Sequence, residues 1–251
     1  TIKSSAENLT LNADGANNDI IFQSNGSNVA TLDQAGLFTA TSFAGSGANL
    51  TGLSSVTALG GLSDCVTTAT SNIGIGANAV DSITTGDYNV GIGDNALDAN
   101  TTASNNTAVG KDALTANITG AQNAAVGKGA LQANTSGESN TAMGYLALDY
   151  NTTASNNTAT GYKALRFNTT GASNVAVGDE SLTANTTASY NTAFGRRTLY
   201  ANTTGTSNIA VGYAALKDNT TGDQNVAIGR GALANNTTAN DNTAVGQDAL
   251  G

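Results

Sequence analysis

The chain has no histidine, no tryptophan and no proline, a single cysteine and a single methionine. Without histidine, Ser-His-Asp triads and Cys-His dyads are excluded, and one cysteine with no histidine cannot make a zinc site. One cysteine, Cys65, also rules out an intrachain disulfide. Beside Val66 it reads as a small buried residue. Charged residues are only 11% of the 251, and no run of 18 apolar residues exists, so no segment reads as a membrane-spanning helix. The net charge of −9 and the pI near 4.1 leave no basic face for nucleic acid.

The apolar share is 39%, but alanine is its largest part by far. A single-core globule of this length needs more large side chains to offset chain entropy. The chain is therefore either disordered or built on a thin, continuous core. Low charge argues against disorder, and so does the fixed spacing of the apolar residues.

That spacing is a repeat. An Asn opens an Asn-x-Ala/Gly-x-Gly pentad at Asn72, Asn89, Asn106 and every seventeenth residue on to Asn242. Ten full copies follow one another without insertion, and an eleventh breaks off at Gly251. The chain opens on Thr1 and stops partway through a copy, which reads as a piece of something longer. The copy from Asn106 reads NTAVGKDALTANITGAQ. Position five is always Gly, which marks a corner with φ > 0 or a close backbone approach. Position three is Gly or Ala, so only a small side chain fits. Positions two and four are mostly Ile, Val or Thr and share one strand face, with position three on the other. Both faces of the pentad therefore read as buried. Position nine is Leu in every copy but the first, Val80, and must fill the interior opposite the pentad. Asn-Thr-Thr at twelve to fourteen reads as a polar turn whose side chains bond the local backbone. It also matches the N-glycosylation pattern, but its strict phase with the repeat favours the turn.

The apolar positions do not follow a 3.6-residue period, and each copy carries Gly, so helices are not expected. Two short strands joined by two turns fit each copy. Stacked in register at about 4.8 Å per coil, the copies make an all-β parallel β-roll or β-solenoid roughly 50 Å long. Each Asn then lies above the next in an amide ladder. The interior of such a coil is thin, and the second pentad face needs a cover. Other copies of the chain are its obvious source, and a cyclic homotrimer is expected.

Residues 1–53 lack the repeat and read as an N-terminal β region and neck, with 54–71 as a connector and 72–251 as the roll. Short strands are expected at Leu9–Leu11, Ile20–Phe22 and Val29–Leu32, with a hairpin turn at Asn25-Gly26.

Two sets of residues carry a family resemblance. The stretch Phe38-Thr39-Ala40-Thr41-Ser42-Phe43-Ala44-Gly45-Ser46-Gly47-Ala48-Asn49-Leu50-Thr51-Gly52-Leu53 resembles a segment common in bacteriophage tail fibres, and Leu11 to Phe22 looks like the same class. The tandem N-T-A-V-G-x-x-A-L units resemble repeats of tail-fibre-like proteins and are similar to the β-roll heads of trimeric autotransporter adhesins. The resemblance implies a homotrimeric fibre outside a cell or virion, serving as the shaft of a phage tail fibre or fibre-like appendage in host attachment. An adhesin whose shaft binds cells directly is the alternative.

No catalytic, cofactor-binding or metal-binding residue is singled out, no cofactor is called for, and the chain does not read as an enzyme. A glycosidase-like carboxylate pair remains open only among acids at variable positions: Asp98, Asp112, Glu138, Asp149, Asp179 and Glu180. Asp179-Glu180 is the densest, and it reads first as a solvated turn. Stacked Thr raises ice binding, although such surfaces need alternating Thr on a flat strand and these are adjacent in a turn. Contacts to a receptor or glycan would fall to Tyr145, Tyr150, Tyr162, Arg166, Phe167, Arg196, Arg197, Tyr200 and Tyr213, all at positions six, seven, ten or eleven. These residues could instead clamp neighbouring coils, and the receptor-binding residues are left unknown.

Overall fold

The computed structural model of the chain describes residues 20–24, 27–32, 38–40, 65–66 and 71–251. The chain divides into two compact units, Thr1–Val56 and Thr57–Gly251. In the first, β1 (Ile20–Ser24), β2 (Ser27–Leu32) and β3 (Phe38–Ala40) form a three-stranded antiparallel sheet in the order β1-β2-β3. The pairing runs to Ser24 with Ser27, and the hairpin turn expected at Asn25-Gly26 lies outside the described residues. The register shifts between Phe22 and Gln23. The strand expected at Leu9–Leu11 lies outside the described residues.

The second unit is a parallel β-solenoid of 17-residue coils. Its strands run from β5 (Ile73–Ile75) and β6 (Val90–Ile92) to β15 (Thr243–Val245), one per coil and three residues each. Each pairs in parallel with the next at an offset of 17, so Ala159 lies against Ala142 on one side and Ala176 on the other. At the start of the stack β4 (Cys65–Val66) pairs antiparallel with β5. An antiparallel strand there closes one sheet edge to further parallel pairing.

Each coil has one strand, not the expected two. After the strand the chain makes two tight turns in succession. In the coil from Asn106, the Ala113 N–H donates to Gly110 O (3.2 Å) and the Asn117 N–H to Leu114 O (3.2 Å). The reason is in the backbone. Positions five, seven, nine and seventeen all take positive φ, for example Gly110 at 135°, Asp112 at 59°, Leu114 at 51° and Asn105 at 63°. An extended second strand cannot pass through two left-handed residues placed two apart. Leucine in this region costs about 1–2 kcal/mol. That cost is offset by full burial of the side chain, worth about 1.5–3 kcal/mol.

Position five shows why only glycine serves. A Cβ on Gly93 would stand 2.7 Å from the carbonyl carbon of Gly110 in the next coil, in addition to the strain of φ at 123°. The corner glycines stack backbone on backbone.

Inside the coil, three columns make the apolar core: residue three (Ala108, Ala125, Ala142), residue eight (Ala113, Ala130, Ala147) and the Leu of residue nine, all buried. Leu97 through Leu216 are fully buried, so residue nine does fill the interior opposite the strand. The strand's two faces differ, however. Position three is inward in every coil, while positions two and four are half-buried or exposed, a pattern of exposed-buried-exposed in β5 and β15. Within one chain only one pentad face is covered, because the coil's interior is wide enough for one layer of Ala against one layer of Leu.

The rest of the interior is polar and hydrogen-bonded in columns. Asn at position one forms the expected ladder: the Asn174 backbone N–H and side-chain Nδ2 both donate to Asn157 Oδ1, at 2.9 and 3.2 Å. A second ladder stands at position twelve, where Asn168 Nδ2 donates to Asn151 Oδ1 (2.9 Å). The two meet at the carbonyl of residue fifteen. Gly171 O accepts from Asn157 Nδ2 (2.9 Å) and from Asn168 Nδ2 (2.8 Å). One carbonyl thus uses both lone pairs on two amide columns. The Asn of Asn-Thr-Thr is therefore a core residue and not only a turn former. Its neighbour at thirteen bonds along the stack, as Thr152 Oγ1 donates to Thr169 O (3.1 Å).

Candidate functional site

Function in this unit has to be sought on its outside, since the inside is a closed column of Ala, Leu and Asn. All charged residues of the coils stand at positions six, seven, ten, eleven, sixteen and seventeen. Those positions lie on the turns, which are free to carry long side chains because only their backbones stack.

The aromatic residues named from sequence are exposed, but they pair with one another. Tyr145 and Tyr162 stack with centroids 5.5 Å apart and planes 12° from parallel. Tyr150 and Phe167 tilt together at 5.3 Å. Arg166 lies over Phe167 (4.9 Å) and Tyr150 (5.7 Å), and its Nε donates to Asp149 Oδ2 (3.2 Å). Arg196 and Arg197 lie near Tyr213 and Tyr200, at 5.9 and 5.5 Å. Coil-to-coil ring contacts of this kind add about 0.5–1.5 kcal/mol beyond burial.

Asp179 and Glu180, the densest acid pair, are not simply solvated. Arg196 Nε donates to Asp179 Oδ2 (2.9 Å) and Arg197 Nε to Glu180 Oε2 (2.7 Å), so each acid bridges to the coil that follows. Glu180 in turn pushes the Arg197 guanidinium further up through that bond. Asp149 is nearly buried, and burial holds its carboxyl above the usual carboxylate range while Arg166 pulls it down. Asp112 accepts from Asn95 Nδ2 (2.8 Å), Glu138 donates its backbone N–H to Ser155 Oγ (2.9 Å), and Asp98 is half-buried at position ten. The structure spreads these acids along the stack, and the carboxylates of Asp112, Asp149, Asp179 and Glu180 bond to a neighbouring coil. Among the described residues no group of three or more His, Cys, Asp or Glu gathers to hold a metal, and no helix is long and apolar enough to cross a membrane.

One feature was not singled out from sequence. Ser181 and Thr198 replace Ala at position eight in adjacent coils and are fully buried, with their hydroxyls 3.0 Å apart and Thr198 Oγ1 donating to Gly195 O (2.7 Å). The break in an otherwise uniform Ala column was the available signal. The sheet's outward face, the second pentad face for which a cover was expected, is a strip of Ile, Val, Thr, Ala, Met and Phe with no charge. Phe194 is 56% exposed there and Val126 39%. No family model, curated protein or solved structure matches the chain.

Proposed function

We propose that the chain is a stretch of the shaft of a fibre carried outside a cell or virion, of the bacteriophage tail-fibre kind. It acts mechanically and not catalytically: it holds receptor-binding elements at a distance for host attachment, and three copies associate to stiffen it. One observation carries this reading. Eleven coils follow one another without an inserted residue, and the interior is devoted wholly to stacking. A binding module or enzyme of the solenoid kind usually carries per-coil insertions on its working face.

A second reading has its own support, an adhesin whose shaft touches a glycan or cell directly. The exposed rings of Tyr145, Tyr162 and Tyr213 and the guanidinium groups of Arg166 and Arg196 fall in four coils. Electron microscopy and a glycan-array screen of the intact chain separate the two. The shaft reading expects a straight rod of about 50 Å over the coils and no glycan bound. Glycan binding that disappears in Tyr162→Ala and Arg196→Ala would overturn the shaft reading in favour of the adhesin.

A further inference from the structure

The outward face of β5 to β15 presents residues two and four of every coil. We infer that further copies of this chain pack on that face, parallel and in register about a shared axis, with residue two of each coil against residue four of the same coil in the neighbour. This rests on the self-association proposed above and names its face, direction and register.

Four observations lead there. First, the face holds no charged residue over eleven coils, although the adjoining turns carry charge in every coil. A solvated face of this length would be expected to take some. Second, size is complementary where residue four is largest. The two bulkiest residues at position four, Met143 and Phe194, share their coils with Thr141 and Thr192. In-register pairing sets these two against threonine, while coils such as Ile73 with Ile75 and Val226 with Ile228 pair branched side chains with one another.

Third, the flanks agree. The strip is bordered by residue six on one side and residue seventeen on the other. In a parallel arrangement these oppose one another at the same level. Lys128 then meets Gln122, Arg196 meets the 67%-exposed Tyr190, and Tyr145 meets Ser139. No level joins like charges. An antiparallel arrangement about the middle coil sets position four on position four, with Phe194 against Val126 and Met143 against Val177. It also sets Lys128 against Arg196, which is repulsive, and its one compensating pair is Asp94 with Arg230.

Fourth, the area points to more than two copies. A strip about 50 Å long and about 10 Å wide gives about 500 Å² on one chain, short of the about 800 Å² per partner of a standard stable interface. Closure by a third copy brings both flanks of every chain into contact and makes up the difference.

The test uses the whole chain with Cys65→Ser as background. Light scattering first gives the mass, expected at three times 24.8 kDa. Single cysteines are then placed by Thr107→Cys and Thr192→Cys on the face, near either end, and by Thr153→Cys on an outer turn. A short bismaleimide is added. Covalent pairs from Thr107→Cys and Thr192→Cys, and none from Thr153→Cys, are the expected result. Pairs from Thr153→Cys alone would move the interface to the turns and overturn the inference. Pairs from Thr158→Cys in the middle coil without the other two would overturn the parallel direction. A multimeric mass with no face cross-links would sink the inference and leave self-association standing. A single-chain mass at about 100 μM, where a 10 μM Kd would still show assembly, would remove both.

Discussion

Residue nine and residue four are both apolar in nearly every coil, yet they live under opposite rules. Residue nine is Leu ten times in eleven, buried in every copy but the truncated last, and held at φ near 50°. Residue four is Ile, Val, Met, Thr or Phe, and the structure leaves it partly open. The difference teaches what in-register stacking demands. A side chain enclosed between identical neighbours above and below must repeat its shape, because packing to interior density tolerates little change of volume. A side chain on the open face need only remain uncharged.

The strongest way to break that comparison is at the corner, where backbone meets backbone. Gly110→Ala combines strain at φ 135° with a Cβ 2.7 Å from the Gly127 carbonyl carbon. It should cost about 3 kcal/mol or more, read as a fall in the chemical-denaturation midpoint. Leu165→Ala opens a void in a column that cannot collapse, and should cost about 2–5 kcal/mol. The outward change Thr160→Ala in the same coil should stay within about 0.5 kcal/mol. If the two cost the same, the distinction between the columns fails.

Next in size is the polar interior. Asn157→Ala strands the Asn174 N–H and removes one donor from Gly171 O. About 2–3 kcal/mol is expected by thermal melting. Asn157→Asp keeps the acceptor but buries a carboxylate whose second oxygen faces Gly171 O, so at neutral pH it should cost at least as much as the Ala variant. On the outer turns the effects shrink. Arg166→Ala leaves the nearly buried Asp149 carboxylate without its partner and should cost about 1 kcal/mol. Arg196→Ala breaks an exposed pair and should cost roughly 0.5 kcal/mol or less.

The smallest effect is one of pH. Burial raises the Asp149 carboxyl, so in the window just above the ordinary carboxylate pKa the folded chain holds a proton that the unfolded chain has lost. Stability contributed at this site is present below that window and is lost as pH rises through the raised value. Wild type should therefore lose stability relative to Asp149→Asn on going from about pH 4 to about pH 6. The opposite slope would mean that Arg166 and not burial dominates.

Much of the architecture was legible because periodicity is visible without coordinates. The 17-residue interval, the small residue at three, the corner Gly at five, the Leu at nine and the Asn ladder at one each follow from one residue type recurring at one place. What was not legible is backbone conformation at residues that give no sign of it. Leu114 at φ 51° and Asp112 at φ 59° are left-handed without being glycine. Propensity alone keeps leucine out of that region, so two strands per coil was the natural expectation. Only the stack, which holds each turn between two identical turns, makes the strain tolerable. The second amide ladder was hidden for a related reason. Asn-Thr-Thr carries a turn composition, and nothing local tells that the side chain of Asn168 points inward to Gly171 O and Asn151. In the outer band Tyr145 and Arg196 are exposed and Arg166 half-buried, and ring and ion-pair contacts join each to a neighbouring coil.

In-register stacking itself is tested most directly by excision. Removing one whole coil, residues 157–173, joins two equivalent coils and leaves every column intact. The expected result is a β-rich circular dichroism spectrum with a cooperative melt, and a rod shorter by about 5 Å. Removing eight residues, 157–164, puts the columns out of phase, and that chain should lose the melt. If the 17-residue and the eight-residue deletions proved equally damaging, or equally harmless, the coil would not be the structural unit, and in-register stacking would not be what holds the chain together.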